Sequence, residues 1–251
     1  MAARRATTKA PAKKPTAKAP PKAKKAAAKP EPATREVVVG CCGFPVPPTR
    51  YFKDFSYVEV QELHMSAPQM GTIRRWKREA SPEFTFAVMG PREIGLEGYR
   101  EGKVLDAALA TLDEVAKTLG AMTVVFAAPP DFAPTRPNKA LVRAFLARVR
   151  PRWDTVVWEP PPAWDADEAS ALAEDAKAIA ARDPLAHGVG TGALGYYRMG
   201  GPAGHKSRYE DPAIEQLAAL AAGARHERAT YVFTNVDMFA DARRFRKALG
   251  V

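Results

Sequence analysis

Cysteine is nearly absent from this chain: its 251 residues hold two, Cys41 and Cys42, and these are neighbours. A bond between adjacent cysteines would need a distorted peptide, so the pair makes no disulfide framework and nothing points to an oxidising compartment. No stretch approaches the ~20 consecutive apolar residues of a membrane span, and the start lacks the apolar run of a secretory signal. The expected location is therefore the cytoplasm. A phosphate-cradling fingerprint is missing too, because GCCGFPVPP (40–48) follows the first strand-like run without G-x-G-x-x-G and leads into prolines. No pair of side chains has a recognised metal-ligand spacing such as H-E-x-x-H. The sequence names no cofactor.

Residues 1–35 lack aromatic side chains altogether and hold a single acid, Glu31, against eleven Lys and Arg. That segment alone carries +10, which is the net charge of the whole chain, and leaves 27 basic and 27 acidic residues in 36–251. With almost nothing to bury, a Lys/Ala/Pro-rich segment cannot offset its ordering entropy, so 1–35 is expected to be a disordered basic tail. Its composition resembles a linker-histone tail. Two readings stand level: non-specific contact with nucleic-acid phosphates through lysines such as Lys13, Lys14, Lys24 and Lys25, giving a nucleoid association, or a solubilising extension.

From residue 36 onward, short β-branched or aromatic runs alternate with segments of helical periodicity. The strand candidates are 36–41, 56–62, 84–89, 122–128, 154–159, a weak PLAHGVG at 184–190, 194–199 and 229–235. Between them, 68–80, 103–120, 138–150, 165–182, 211–223 and 237–250 carry apolar stripes with plausible caps, such as the Gly120 stop. Eight strands alternating with helices predict an α/β fold, a (β/α)8 TIM-barrel-like domain over 36–251. The prolines at 45, 47 and 48 make a full helix between the first two strands doubtful, which predicts an incomplete or distorted barrel.

Functional groups of such barrels lie at the C-terminal ends of strands. The polar residues there are Cys41, Cys42, Glu59, Glu62, His64, Arg92, Glu159, Arg198, Asn235 and Asp237. Glu59 and Glu159 would serve as acid and base, or would be buried partners of Arg198 that hold the barrel together. Arg198 would orient an anionic group. The loop GGPAGHKSRYED (200–211) reads as a lid or as a polar connection. Trp158 and Trp164 fit the helix–barrel interface better than a pocket wall. Alternation along a strand puts one of Cys41 and Cys42 inside the barrel and the other against its helices.

The motif order VVVGCCGF, YVEVQELHMSAP, TIRRWKREASPEFTFAVMGPREI, VVFAAPPDF, VVWEPPPAW, YYRMGG with RYED, and TYVFTNVDMFADARRFRKAL resembles the YecE-like family, domain of unknown function 72. The resemblance implies a TIM-barrel-like fold and no assigned activity. It matches Glu59, Glu159, Arg198, Tyr209 and Asn235 to polar positions of the family. Elsewhere the chain departs: Met89 stands for a lysine, Ala127 for a glutamine, Gly200 for a histidine, and prolines follow Glu159. The expected function is acid/base chemistry, hydrolase- or lyase-like, on an anionic small molecule. Glu59 and Glu159 would be catalytic, and Arg198, Asn235, Tyr209, Cys41 and Cys42 would bind the ligand. The alternative is a non-catalytic barrel scaffold brought to nucleic acid by its tail.

Overall fold

A computed structural model describes residues 1–2, 36–66 and 69–251. The expectations for the basic tail, including Lys13, Lys14, Lys24 and Lys25, lie outside the described residues. The chain divides between residues 33 and 34, and the second unit carries every element below.

Eight strands follow one another with helices between them: β1 (Glu36–Cys42), α1 (Pro48–Asp54), β2 (Tyr57–Val60), α2 (Glu62–Met65), α3 (Met70–Glu79), β3 (Thr85–Met89), α4 (Glu93–Leu96) and α5 (Lys103–Leu119). Then come β4 (Thr123–Ala127), α6 (Arg136–Val149), β5 (Thr155–Glu159), α7 (Ala166–Asp175), β6 (Ile179–Ala180), α8 (Pro184–His187), β7 (Leu194–Met199), α9 (Asp211–Gly223), β8 (Arg228–Phe233) and α10 (Met238–Leu249). All strand pairs are parallel, in the order β6-β5-β4-β3-β2-β1-β8-β7. A bridge between Arg182 and Tyr197 brings the two outer strands together, so the sheet closes into a barrel at one level of the β6–β7 seam. The predicted distortion is therefore real and sits at that seam.

Two expectations need correction. The weak strand at 184–190 is not a strand: Asp183 caps the Leu185 N–H and Pro184 opens α8. The sixth strand lies earlier, inside the stretch that reads as one helix over 165–182. There Lys177 adopts φ 57°, and the N–H groups of Lys177 and Ala178 turn back to the carbonyls of Glu174 and Ala173. That left-handed residue ends α7 and frees Ile179 and Ala180 to pair with β5. The β1–β2 connection does form a helix, although a short one, because Pro48 occupies the first turn, where a missing N–H costs nothing.

Strand alternation divides the core into two compartments. Cys42, Tyr57, Met89, Val125, Val157, Tyr196 and Val232 fill the barrel interior. Cys41, Trp158, Trp164, Tyr209, Phe233 and the helix stripes fill the shell between barrel and helices, as expected for the two tryptophans. Gly40 makes the interior possible: a Cβ there would come within 2.4 Å of the Tyr57 carbonyl and 2.9 Å of its ring.

Candidate functional site

Period-2 alternation aims Glu59 and Tyr57 of β2, and Arg198 and Tyr196 of β7, into the barrel from opposite walls. Glu159 joins them from the end of β5. Arg198 is the hub. Its Nη2 donates to Glu59 Oε1 at 2.7 Å, and its Nη1 pairs with Glu159 Oε2. Nη2 also lies 3.4 Å from Cys42 Sγ and 3.5 Å from Met89 Sδ. Below the hub, the Tyr196 hydroxyl donates to Glu59 Oε2 at 2.6 Å. With that hydrogen committed, the Tyr57 hydroxyl donates to Tyr196 across 2.9 Å. The result is one hydrogen-bonded axis from Tyr57 up to Glu159.

Burial grades along this axis. Glu59 is fully buried and the Arg198 side chain is 10% exposed, whereas the Glu159 side chain is 32% exposed. Burial by itself would lower the Arg198 pKa, but the Glu159 and Glu59 carboxylates outweigh it and hold the guanidinium protonated above its ordinary range. Burial raises the Cys42 thiol well above its ordinary value, and Glu59 adds to this, so the sulfur stays a neutral thiol at pH 7. As a donor it is within reach of Gln61 Oε1 at 3.4 Å. Burial and then the Glu59 charge likewise raise the Tyr196 hydroxyl.

The remaining candidates lie elsewhere. Cys41 faces the shell, its N–H donating to the Tyr51 hydroxyl at 2.8 Å and its thiol near the Met238 carbonyl, so strand alternation removes it from any ligand at the mouth. Asn235 and Tyr209 are buried in a second polar cluster beneath the 200–210 loop. Asn235 Nδ2 donates to Asp241 Oδ2 at 2.8 Å and to the Ser207 carbonyl at 2.9 Å. Tyr209 donates its N–H to the same Asp241 oxygen at 3.1 Å, and its hydroxyl accepts from Gly201. Arg244 completes the cluster at 2.6 Å from Asp241 Oδ1. Both expected ligand contacts are thus committed to holding a loop. His64 binds the Gly90 carbonyl at 2.8 Å, and Arg92 stays exposed beside Glu93.

Sequence reasoning missed Tyr57, Tyr196 and Gln61 at the mouth and Asp241 in the clasp. For the tyrosines a signal was present, since each stands two residues before a candidate and so shares its face. Among the described residues no cluster of three or more His, Cys, Asp or Glu side chains could hold a metal ion. A cavity of about 750 Å³ opens at the β6–β7 seam, between Lys177, Arg182, Leu194, Tyr196 and His226. One of about 30 Å³ lies lower in the barrel beside Tyr57, Thr155 and Thr230. Glu59, Glu159 and Arg198 line neither.

The family described as "Protein of unknown function DUF72" matches residues 49–251. The chain belongs to the DUF72 family. Solved structures agree. A DUF72 family protein from Enterococcus faecalis V583 superposes with a TM-score of 0.69 at 14% identity, covering 87% of this chain and 99% of that one. A DUF72 family protein from Thermotoga maritima MSB8 gives 0.67 at 17% identity, covering 86% and 100%. More distantly, a xylose isomerase domain containing protein from Salmonella typhimurium LT2 gives 0.59 at 12% identity, covering 86% and 96%. At these identities the likeness speaks for the barrel alone. No curated protein matches the chain.

Proposed function

We propose that this DUF72 barrel binds a small anionic molecule at its C-terminal mouth and exchanges a proton with it through Glu159. The observation that carries the reading is the shared guanidinium. Arg198 is held from below by the fully buried Glu59 and capped from above by the part-exposed Glu159. An incoming carboxylate or phosphate would replace Glu159 on Nη1, taking a charge-assisted contact of the same kind. Displaced, Glu159 becomes an unpaired carboxylate beside the ligand, placed to take a proton, while Arg198 stabilises the oxygen on which charge develops. In this arrangement Glu59 does not touch the ligand; with Tyr196 and Tyr57 behind it, it is a positioning residue. Cys42 and Met89 form the floor.

Among the fold neighbours is a D-psicose 3-epimerase from Clostridium cellulolyticum H10 with D-tagatose. At 11% identity this guides only the choice of test compounds. The full chain would be screened by thermal shift against sugar phosphates, sugar acids and their neutral parent sugars. Stabilisation by an anionic compound that is undiminished in Glu159→Gln, absent with the neutral parent and lost in Glu59→Gln/Arg198→Met supports the reading, together with wash-in of solvent deuterium into the ligand that Glu159→Gln abolishes. Equal stabilisation of wild type and Glu59→Gln/Arg198→Met, or equal deuterium wash-in with wild type and Glu159→Gln, overturns it.

A second reading, a binding scaffold without chemistry, draws on the packing of the mouth. Met89 is 4% exposed beneath Arg198 where the family resemblance implies a lysine, and neither cavity reaches the three charged residues. A ligand that binds at Arg198 yet is recovered unchanged after prolonged incubation favours it.

A further inference from the structure

In sum the barrel is neutral, yet its charge is polarised in space. Helices α10, α1 and α3 follow β8, β1 and β2, which are neighbours in the sheet, so the three helices lie side by side on the outside. Contacts confirm the order: Arg246 stacks 5.7 Å over Phe55 and Arg50 lies 5.5 Å over Phe239, joining α1 to α10, while Phe44 packs 4.9 Å from Trp76 of α3. Together the three helices carry ten Lys and Arg against three acids, Asp54, Glu79 and Asp241.

Elsewhere, among the described residues, unpaired cations such as Lys117, Arg136, Lys206 and Arg225 lie on separate elements, and many others are matched. On α6 and the turn after it, Lys139 pairs with Glu168, Arg143 with Asp175, Arg148 with Asp106, and Arg152 with Asp113. On the basic face, among the described residues, Arg50, Lys53, Arg74, Lys77, Arg78 and Lys247 have no acidic partner. All six are exposed. An ordinary solvated surface mixes its signs, as α6 and α7 do; this face does not.

We propose that the α10–α1–α3 face binds the phosphate backbone of nucleic acid without reading bases. Charge complementarity favours this occupant. The twelve residues of α10 span roughly 18 Å, and duplex DNA presents one phosphate per ~1.7 Å of axis, so several unpaired cations meet phosphates at once. An anionic membrane fits less well, because membrane-surface helices also insert apolar side chains. The exposed large apolar residues of the barrel are Met65, Leu96, Val104, Met122, Leu194, Val236 and Val251; none is within these three helices, and only Val251, two residues beyond α10, adjoins the end of one that carries the patch.

The test uses the full chain, with a fluorescent ~25-base-pair duplex titrated over a series of salt concentrations. Lys53→Glu with Arg74→Glu reverses two charges on the face; Arg136→Glu with Arg225→Glu makes the same change in net charge elsewhere on the barrel. The basic tail is common to all and cancels. The face pair should weaken binding ~10-fold or more and make the log–log salt slope shallower by about 2. The distant pair should change affinity by less than ~3-fold, and Lys53→Arg with Arg74→Lys should retain it. Melting curves confirm that each variant is folded. Equal effects from the two reversed pairs, no effect from either, or no duplex binding at all overturns the proposal. So does a loss confined to binding of phosphatidylglycerol-containing vesicles, which would make the face a membrane surface.

Discussion

The two sides of the barrel wall solve the burial of polar groups in different ways. Inside, a line of hydroxyl, carboxylate and guanidinium groups runs from Tyr57 to Glu159 and ends at solvent. Outside, the shell is aliphatic and aromatic, and its polar clasp centres on Asp241, which gathers the Asn235 amide, the Tyr209 N–H and Arg244, while Asn235 Oδ1 stays buried without a partner among the described residues. Adjacent cysteines mark the boundary, Cys42 against Arg198 and Cys41 against Tyr51. The clasp is an acceptor surrounded by donors, as expected of a group that fastens a loop. The axis is a buried ion pair that well-packed apolar residues could replace at little cost in stability, and it meets solvent at Glu159.

Removing Arg198 should separate the compartments most sharply. Arg198→Met leaves the enclosed Glu59 carboxyl without its cation, and breaking a buried pair in this way costs about 3–5 kcal/mol. Urea denaturation should show that loss, and the double variant Glu59→Gln/Arg198→Met should regain most of it. A loss below ~1 kcal/mol would mean that the interior pair is solvated far more than its burial indicates.

In the shell the corresponding change is Asp241→Ala, which strands the Asn235 amide and the Tyr209 N–H. An unsatisfied buried donor costs about 1–3 kcal/mol, and the exposed side of Arg244 can turn to Asp211, so a net loss near 2 kcal/mol is expected. Hydrogen exchange in the 200–210 loop should accelerate, while any ligand response at the mouth should persist. Loss of that response would tie the clasp to the site and dissolve the distinction.

Much of this division was legible in the sequence because alternation is strict. Glu59 and Arg198 stand at strand ends, which marks them for the mouth, and strand period assigns the cysteines to opposite faces. What escaped depended on single backbone conformations or on partners remote in the chain. The left-handed Lys177 converts an Ala-rich helical stripe into β6, and nothing in its side chain announces it. Asn235 and Tyr209 stand near strand or loop ends facing the mouth, but Asp241, one turn into α10, draws them to the outer wall. The polarised surface was hidden by a neutral sum, since pairing on α6 and its absence on α1 and α3 look alike in a count.

The cysteine boundary gives a smaller effect, read against pH. Burial pushes the Cys41 thiol from its usual 9.0 up to about 12. Above pH 9.0 the unfolded chain releases this proton while the folded chain keeps it, so the stabilisation is complete below pH 9.0 and is lost as pH rises toward about 12. Chemical denaturation across this window should show a decline that is shallower in Cys41→Ala by about 1 kcal/mol per pH unit. The other buried tyrosines contribute to both proteins, while Tyr51, in contact with Cys41, shifts with it. Identical slopes would show that the shell admits water at Cys41.

The smallest change in stability is expected at Glu159, and there the comparison is most exposed to failure. Its side chain is 32% exposed, and removing its charge leaves Arg198 paired with Glu59, so screening by solvent limits its contribution to under ~1 kcal/mol. Glu159→Gln should therefore unfold at nearly the wild-type denaturant concentration and bind anionic ligands no more weakly, while losing proton exchange with them. That combination, unchanged stability with lost exchange, is what separates a group kept for use from one kept for support. If Glu159→Gln is instead destabilised as severely as Arg198→Met, the carboxylate is a third member of a structural triad. The mouth would then be a second clasp, built like the one around Asp241 but on the inner face of the same strands.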